Sequence, residues 1–436
     1  MGDGMVVKSQ DIGMHGPIRV VRSSMLEQYR NMGPIYEWTS GDAYLYIDRI
    51  RFRERVGAVL VYNNPPVHQV ATPALHALME GLDVLIGGCG GLEFLILYDS
   101  NDPLHAGGDL KESLRNLEQT LESKARMESA GAQPEEIDRL FGWGEARLQK
   151  GVALYKKIRD LAQTMRVLAV CGGGMRYGGS AEIPLMADVL IGDERGGMCF
   201  SESMIGIIPG WAGIARVLVK AGRANAEFMT KTAREVRAKE LKEIGVYNEV
   251  VHVPFQLPSL LKPREGDGDQ EKVFRYQLDL HNDRTGLILL PKALEYATCL
   301  PEDVPRMAER RRMILAGEKE IDREVETRAN PYSYAHVWKM GLKEVKDEMK
   351  RLGRPLAPQS ICALDNLFRG YTPSSFHEER FVEEELKADA ALYRDPRFME
   401  GLRAMLDQRV PDFRDPSPGD GEQFIDMRNQ WKGLQK

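Results

Sequence analysis

The chain has 436 residues, with 59 Lys+Arg against 65 Asp+Glu and a formal net charge of −6. Hydrophobic residues make up 43% and charged residues 28%, which excludes wholesale disorder, and the acidic balance argues against a nucleic-acid binder held by bulk electrostatics. No apolar run follows a basic N-terminal start, and no stretch of roughly 18 apolar residues occurs, so neither a secretory leader nor a membrane span is expected.

The length alone predicts two to three domains, or one domain with large additions. Cys89, Cys171, Cys199, Cys299 and Cys362 form no C-x-x-C pair, so they read as reduced thiols of a cytoplasmic protein. The 8 histidines show no H-x-x-x-H or H-E-x-x-H spacing, and no metal site is expected. Neither a P-loop nor a strand-linked G-x-G-x-x-G is present, so the usual signals of nucleotide hydrolysis and dinucleotide redox are missing. Glycine, at 42 residues, exceeds its usual share of about 7%, which points to tight turns and close backbone approaches.

In chain order, residues 1–39 are weakly patterned. Tyr44 to Phe52 alternates as a half-buried strand does, and Val56 to Tyr62 is a second strand stopped by Asn63-Asn64-Pro65-Pro66. Pro73 suits the first turn of a helix running to Ile86. Leu92 to Tyr98 reads as a buried parallel strand that empties into the polar loop SNDPLHAGGD. A charged helix follows from Leu110, broken near Gly131 to Pro134, and a long helix runs on to Met165. Val167 to Val170 is another buried strand, ending in glycines, and Ala187 to Gly192 is a further one. This alternation predicts an α/β fold with a mostly parallel sheet. After Pro209 the pattern is helical up to a short strand in Val246 to Val251. Pro254 to Gln270 reads as an exposed loop, and residues 280–370 as several helices broken at Pro331 and Pro355. Phe381 to Leu406 is helical in spacing, and the tail after Pro411 reads as extended.

Two loops of small residues each follow a buried strand: Ala106-Gly107-Gly108-Asp109 and Gly178-Gly179-Ser180-Ala181-Glu182. Ligands gather at the carboxyl ends of parallel strands, and glycine lets backbone N–H groups reach a ligand oxygen. Two such groups on one oxygen make an oxyanion hole.

Taken in order, LHAGGDLKE at 104–112, RYGGSAEIPLMAD at 176–188 and SESMIGIIPG at 201–210 resemble the crotonase superfamily, the enoyl-CoA hydratase/isomerase family. VGAVLVYNNPPV, RAKELKEIGVYNEVV and FMEGLRAMLDQRVPDF support it. The resemblance spans 40–114, 163–253 and 354–414. It implies a ββα spiral core over 40–253 with an enlarged crossover at 115–162. Residues 1–39 are then an N-terminal extension, 254–353 a mostly helical insertion, 354–414 a C-terminal helical trimerisation region and 415–436 a tail.

The resemblance implies that the N–H groups of Gly108 and Gly179 hold the thioester oxygen and stabilise the enolate. Glu182 and Glu202 match the glutamates of the hydratase branch, Glu182 as base on water and Glu202 as proton donor to the α-carbon. Ala106 and Lys111 match positions near coenzyme A, which is part of the substrate; no further cofactor is expected. His105 and Trp211 are departures assigned to the acyl pocket, with a capped or surface loop histidine and a core aromatic as the plainer alternatives. The implied reaction is hydration of an enoyl-CoA. Alternatives are ring-opening C–C hydrolysis of a cyclic oxoacyl-CoA (6-oxocyclohex-1-ene-1-carbonyl-CoA hydrolase-like), double-bond isomerisation, or acyl-CoA binding without catalysis. A homotrimer or dimer of trimers, with no nucleic-acid or membrane partner, completes the expectation.

Overall fold

The computed structural model describes residues 7–8, 29–88, 90–258, 268–299, 356–409, 411 and 413. The strands are β1 (Val7–Lys8), β2 (Arg30–Ser40), β3 (Ala43–Phe52), β4 (Arg55–Asn63), β5 (Phe94–Asp99), β6 (Leu104–His105), β7 (Arg166–Cys171), β8 (Met175–Tyr177), β9 (Val189–Asp193), β10 (Gly197–Cys199), β11 (Val236–Arg237) and β12 (Glu249–Val251). The helices are α1 (Thr72–Gly88), α2 (Leu110–Ser129), α3 (Pro134–Asp138), α4 (Gly142–Thr164), α5 (Gly179–Leu185), α6 (Gly213–Thr232), α7 (Ala238–Ile244), α8 (Gly268–Thr298), α9 (Pro358–Arg369), α10 (Glu378–Leu392) and α11 (Pro396–Leu406).

The chain divides into two compact units, the first made of Met1–Gly108, Ala153–Met198 and Val236–Arg311, the second of Asp109–Val152, Cys199–Glu235 and Arg312–Lys436. The first unit holds an eight-stranded sheet of order β1-β2-β3-β4-β5-β7-β9-β12 and a four-stranded sheet of order β11-β10-β8-β6. From β4 to β12 neighbouring strands of the larger sheet are parallel.

Alternation along those strands sends residues to two covered faces, which is why β5 and β7 read as continuous apolar runs. Ile96 and Leu168 pack with Leu289, Leu290, Ala293 and Leu294 of α8 in one buried cluster. Leu60, Leu97 and Ala169, in register across β4, β5 and β7, share a cavity with residues of α1, α4 and α5.

The second unit, among its described residues, is helical. Helix α6 packs on α9 and α10, and α2 on α11. Lys231 pairs with Asp365, and Arg216 pairs with Glu378 at 2.8 Å.

Three differences from the sequence reading have physical causes. Arg30–Ser40 is a strand, but register shifts between Asn31, Pro34 and Tyr36 break the alternation that would have announced it. Strands β6, β8, β10 and β11 have two or three residues each, too few to show a period. Helix α8 begins at Gly268, inside the segment read as a loop and insertion, and its apolar side covers the main sheet. Pro331, Pro355 and the tail 415–436 lie outside the described residues.

Candidate active site

In the first unit, the two glycine loops lie side by side. Gly107 has φ +79°, and a Cβ there would sit 2.4 Å from the Tyr177 carbonyl oxygen and 3.4 Å from the Gly179 nitrogen. Its N–H donates to Ser180 Oγ at 3.1 Å and its carbonyl accepts from Val70 N–H at 2.6 Å. Both polar groups of Gly107 are thus engaged in holding the loop. The adjacent Ala106 N–H donates to Val67 C=O at 2.8 Å. Gly179 opens α5, so its N–H is one of those for which a helix supplies no internal acceptor. Gly178 before it has φ +52° and ψ −130°, a conformation open to glycine. Glu182, three residues into α5, is buried at 3% exposure. Ser180, Ile183 and Pro184 of the same helix face the cavity, and Glu182 lies off that face.

The cavity is about 30 Å³ in volume. Leu60, Leu97 and Ala169 of the sheet, Leu78 and Leu82 of α1, and Leu154 and Ile158 of α4 give it apolar walls. At the end of β5 stands Asp99, two residues beyond Leu97 and therefore on the same face. His68 Nε2 lies 2.7 Å from Asp99 Oδ1, and Arg176 Nη1 hydrogen-bonds Asp99 Oδ2. Asn64 N–H donates to His68 Nδ1 at 3.2 Å. A backbone amide can only donate, so Nδ1 holds the lone pair, and the network assigns the proton to Nε2, which donates to Asp99. His68 itself sits at φ +51°, a strained position for a non-glycine residue.

Burial would raise the Asp99 carboxyl, but the His68 ring and the Arg176 guanidinium outweigh it and hold the group well below the usual carboxylate range. His105 is fully buried, its ring 4.7 Å from that of His68, and its Nδ1 lies 3.3 Å from Arg176 Nη1. Burial first, and then the Arg176 charge, push its pKa well down, so the ring is neutral. Of the two alternatives for this residue, the surface histidine is corrected: it is interior, at the end of β6.

His68, Asp99 and His105 offer ligand atoms within 4.8 Å of one another, a spacing compatible with a metal ion. Arg176 already sets a fixed positive charge against Asp99 and His105, which disfavours a second cation there. Sequence reasoning passed over His68, Asp99 and Arg176; the one signal was the alternation Leu95, Leu97, Asp99.

The remaining site residues belong to the second unit. Asp109 caps α2 by accepting from the N–H groups of Lys111 and Glu112, and the Lys111 side chain is exposed. Glu202 is buried at 7% exposure in a short 3₁₀ turn (Glu202–Met204) held by Ala357 N–H on the Ser203 carbonyl at 2.8 Å. Trp211 is buried against Gly151, where a Cβ would sit 2.0 Å from its ring, and Arg147 lies over it at 5.8 Å. Within its unit, therefore, Trp211 is a packed aromatic.

A family model described as enoyl-CoA hydratase/isomerase matches residues 106–257. The mitochondrial enoyl-CoA hydratase of Pongo abelii is 24% identical over 113 residues, covering 26% of this chain and 39% of that protein. The Bacillus subtilis (strain 168) protein YngF, described as an enoyl-CoA hydratase/isomerase, is 27% identical over 171 residues, covering 36% of this chain and 66% of that protein. The chain thus spans less than two thirds of the length of either relative. A crystal structure of an enoyl-CoA hydratase from Rhodobacter sphaeroides 2.4.1 shares the fold at a TM-score of 0.51 and 17% identity, over 89% of this chain and 97% of that one. No helix among the described residues is long and apolar enough to cross a membrane. Residues 106–257, which carry both glycine loops, are thus similar to the enoyl-CoA hydratase/isomerase family, and the sheet follows the fold of the Rhodobacter sphaeroides structure.

Proposed function

We propose that the protein is an acyl-CoA thioester enzyme that works through a stabilised enolate, and that its reaction is hydration of an enoyl-CoA. The observation that carries this is the contact between the two glycine loops, so close at Gly107 that no side chain fits. In this reading the N–H groups of Gly108 and Gly179 receive the thioester oxygen. Fixed donors aimed at the charge that develops on that oxygen lower the barrier, and they need no reorganisation as it forms. Glu182 takes a proton from water and Glu202 delivers one to the α-carbon. Ala106 and the exposed Lys111 meet the coenzyme A part. The same reading carries a homotrimer or dimer of trimers, checked by analytical ultracentrifugation.

The test is product analysis with purified protein on linear and cyclic enoyl-CoA thioesters, beside the variants Glu182→Gln and Glu202→Gln. Hydration of a linear substrate, with each variant slower by at least ~10²-fold, is the expected result. Ring opening without linear hydration replaces it with a C–C hydrolase. Unchanged rates in both variants remove the two glutamates from the mechanism.

A further inference from the structure

The cavity beside the glycine loops has apolar walls and one charged group. Of the other polar residues that line it, Ser180 Oγ accepts from Gly107, the Tyr62 hydroxyl donates to the Gln69 carbonyl at 2.7 Å, and the Tyr98 hydroxyl accepts from Asn101 Nδ2 at 2.6 Å. Asp99 differs from these. Its side chain keeps 20% exposure while those of His68 and Arg176 keep 0% and 1%. The partners are therefore packed away on one side, and the carboxylate opens on the other. Each oxygen accepts one bond, and a carboxylate has sites for about four, so acceptor capacity remains toward the cavity.

We propose that Asp99 is a specificity-determining residue that receives a hydroxyl group carried on the acyl part of the thioester, away from the carbonyl. This rests on the acyl-CoA reading above and narrows it to a hydroxylated acyl group.

Three arguments fix the chemical class. An aliphatic tail would strip water from the carboxylate without replacing it, whereas a hydroxyl restores a hydrogen bond. A second carboxylate would be repelled. An ammonium would meet a site where the Arg176 guanidinium already sets a positive charge against Asp99. The cavity, at about 30 Å³, has room for about two waters by the usual measure, so only a short group reaches its end. The depressed pKa agrees: a carboxylate held ionised by two neighbours accepts hydrogen bonds well but is a weak base.

The experiment compares 2-enoyl-CoA thioesters of four to six carbons, each with and without a terminal hydroxyl, in kcat/KM and in directly measured affinity. The expected result is a preference of about 10- to 10²-fold for the hydroxylated member at one chain length, reduced at least ~10-fold in Asp99→Asn. A ratio near one at every length, with both forms turned over, overturns the proposal. An equal loss on both forms in the variant assigns Asp99 to catalysis and also overturns it. Should Asp99→Asn fail to fold, the wild-type ratio decides alone. If no thioester binds or reacts, the acyl-CoA reading itself has failed, and this inference with it.

Discussion

The N–H of Gly107 donates to Ser180 Oγ across 3.1 Å, so a single hydroxyl joins two loops that lie 73 positions apart in the chain. Without that acceptor a buried amide is left with no partner, at a cost of about 1–3 kcal/mol. Ser180→Ala keeps a good helix former at this position and removes only the tie. The expected outcome is a fall in kcat of about 10-fold with a smaller change in KM, because positioned donors matter most where charge develops. Steady-state kinetics together with urea unfolding check both halves.

Gly107 is the stricter position. Its φ of +79° and the 2.4 Å approach to the Tyr177 carbonyl leave no room for a methyl group. Gly107→Ala must move backbone, and the nearest backbone is the loop that leads into Gly179. A loss of at least ~10² in kcat/KM is expected, with a stability cost of about 1–3 kcal/mol. A variant that keeps its activity would show that the loop contact is not what organises the site.

How legible these features were in the sequence depends on how local their signals are. The runs of β4, β5 and β7 and the two glycine loops are contiguous, so pattern and motif expose them. The polar group around Asp99 is assembled differently. His68 comes from the turn after β4, Asp99 from the end of β5 and Arg176 from β8, and only pairing such as Tyr62 against Asp99 brings the segments together. His105 looked like a loop residue because β6 is two residues long, and its burial follows from its pairing with β8, where Arg176 lies opposite. Helix α8 was legible as helix in its second half, but nothing in its sequence says which sheet its leucines cover.

That helix also reaches the approach to the first glycine loop. Asn282 Oδ1 accepts from Asn101 N–H at 2.6 Å, its carbonyl accepts from Asn101 Nδ2 at 2.8 Å, and its Nδ2 donates to Asp102 Oδ1 at 3.0 Å. Asn282→Ala removes the two side-chain bonds and leaves a buried N–H and a buried carboxylate oxygen short of partners. A loss of about 2–4 kcal/mol is expected. Faster amide exchange at residues 100–102 than elsewhere would place the damage in this loop; uniform exchange would count against the assignment.

His281 on the same helix makes stability depend on pH. Burial first, and then the Arg195 guanidinium, lower its pKa from 6.5 to about 4. The folded state thus favours the neutral ring, while the unfolded chain takes up a proton near pH 6.5. The contribution to stability is complete above the unfolded value and is lost as the pH falls from about 6.5 toward 4. His105, also held neutral by burial and Arg176, acts in the same direction. Each proton taken up only by the unfolded chain gives a slope of about 1.4 kcal/mol per pH unit at most, with less for His281 because solvent screens part of its shift. Between pH 6.5 and 4.5 this exceeds the contribution of Asp99, whose lowered pKa makes its share of stability disappear only below the normal carboxylate range. In urea midpoints taken at intervals from pH 7.5 to 4.5, the slope with pH should therefore be smaller in His281→Phe than in the wild type, by up to one proton's worth. An unchanged slope in the variant would mean that His281 is not the group that titrates.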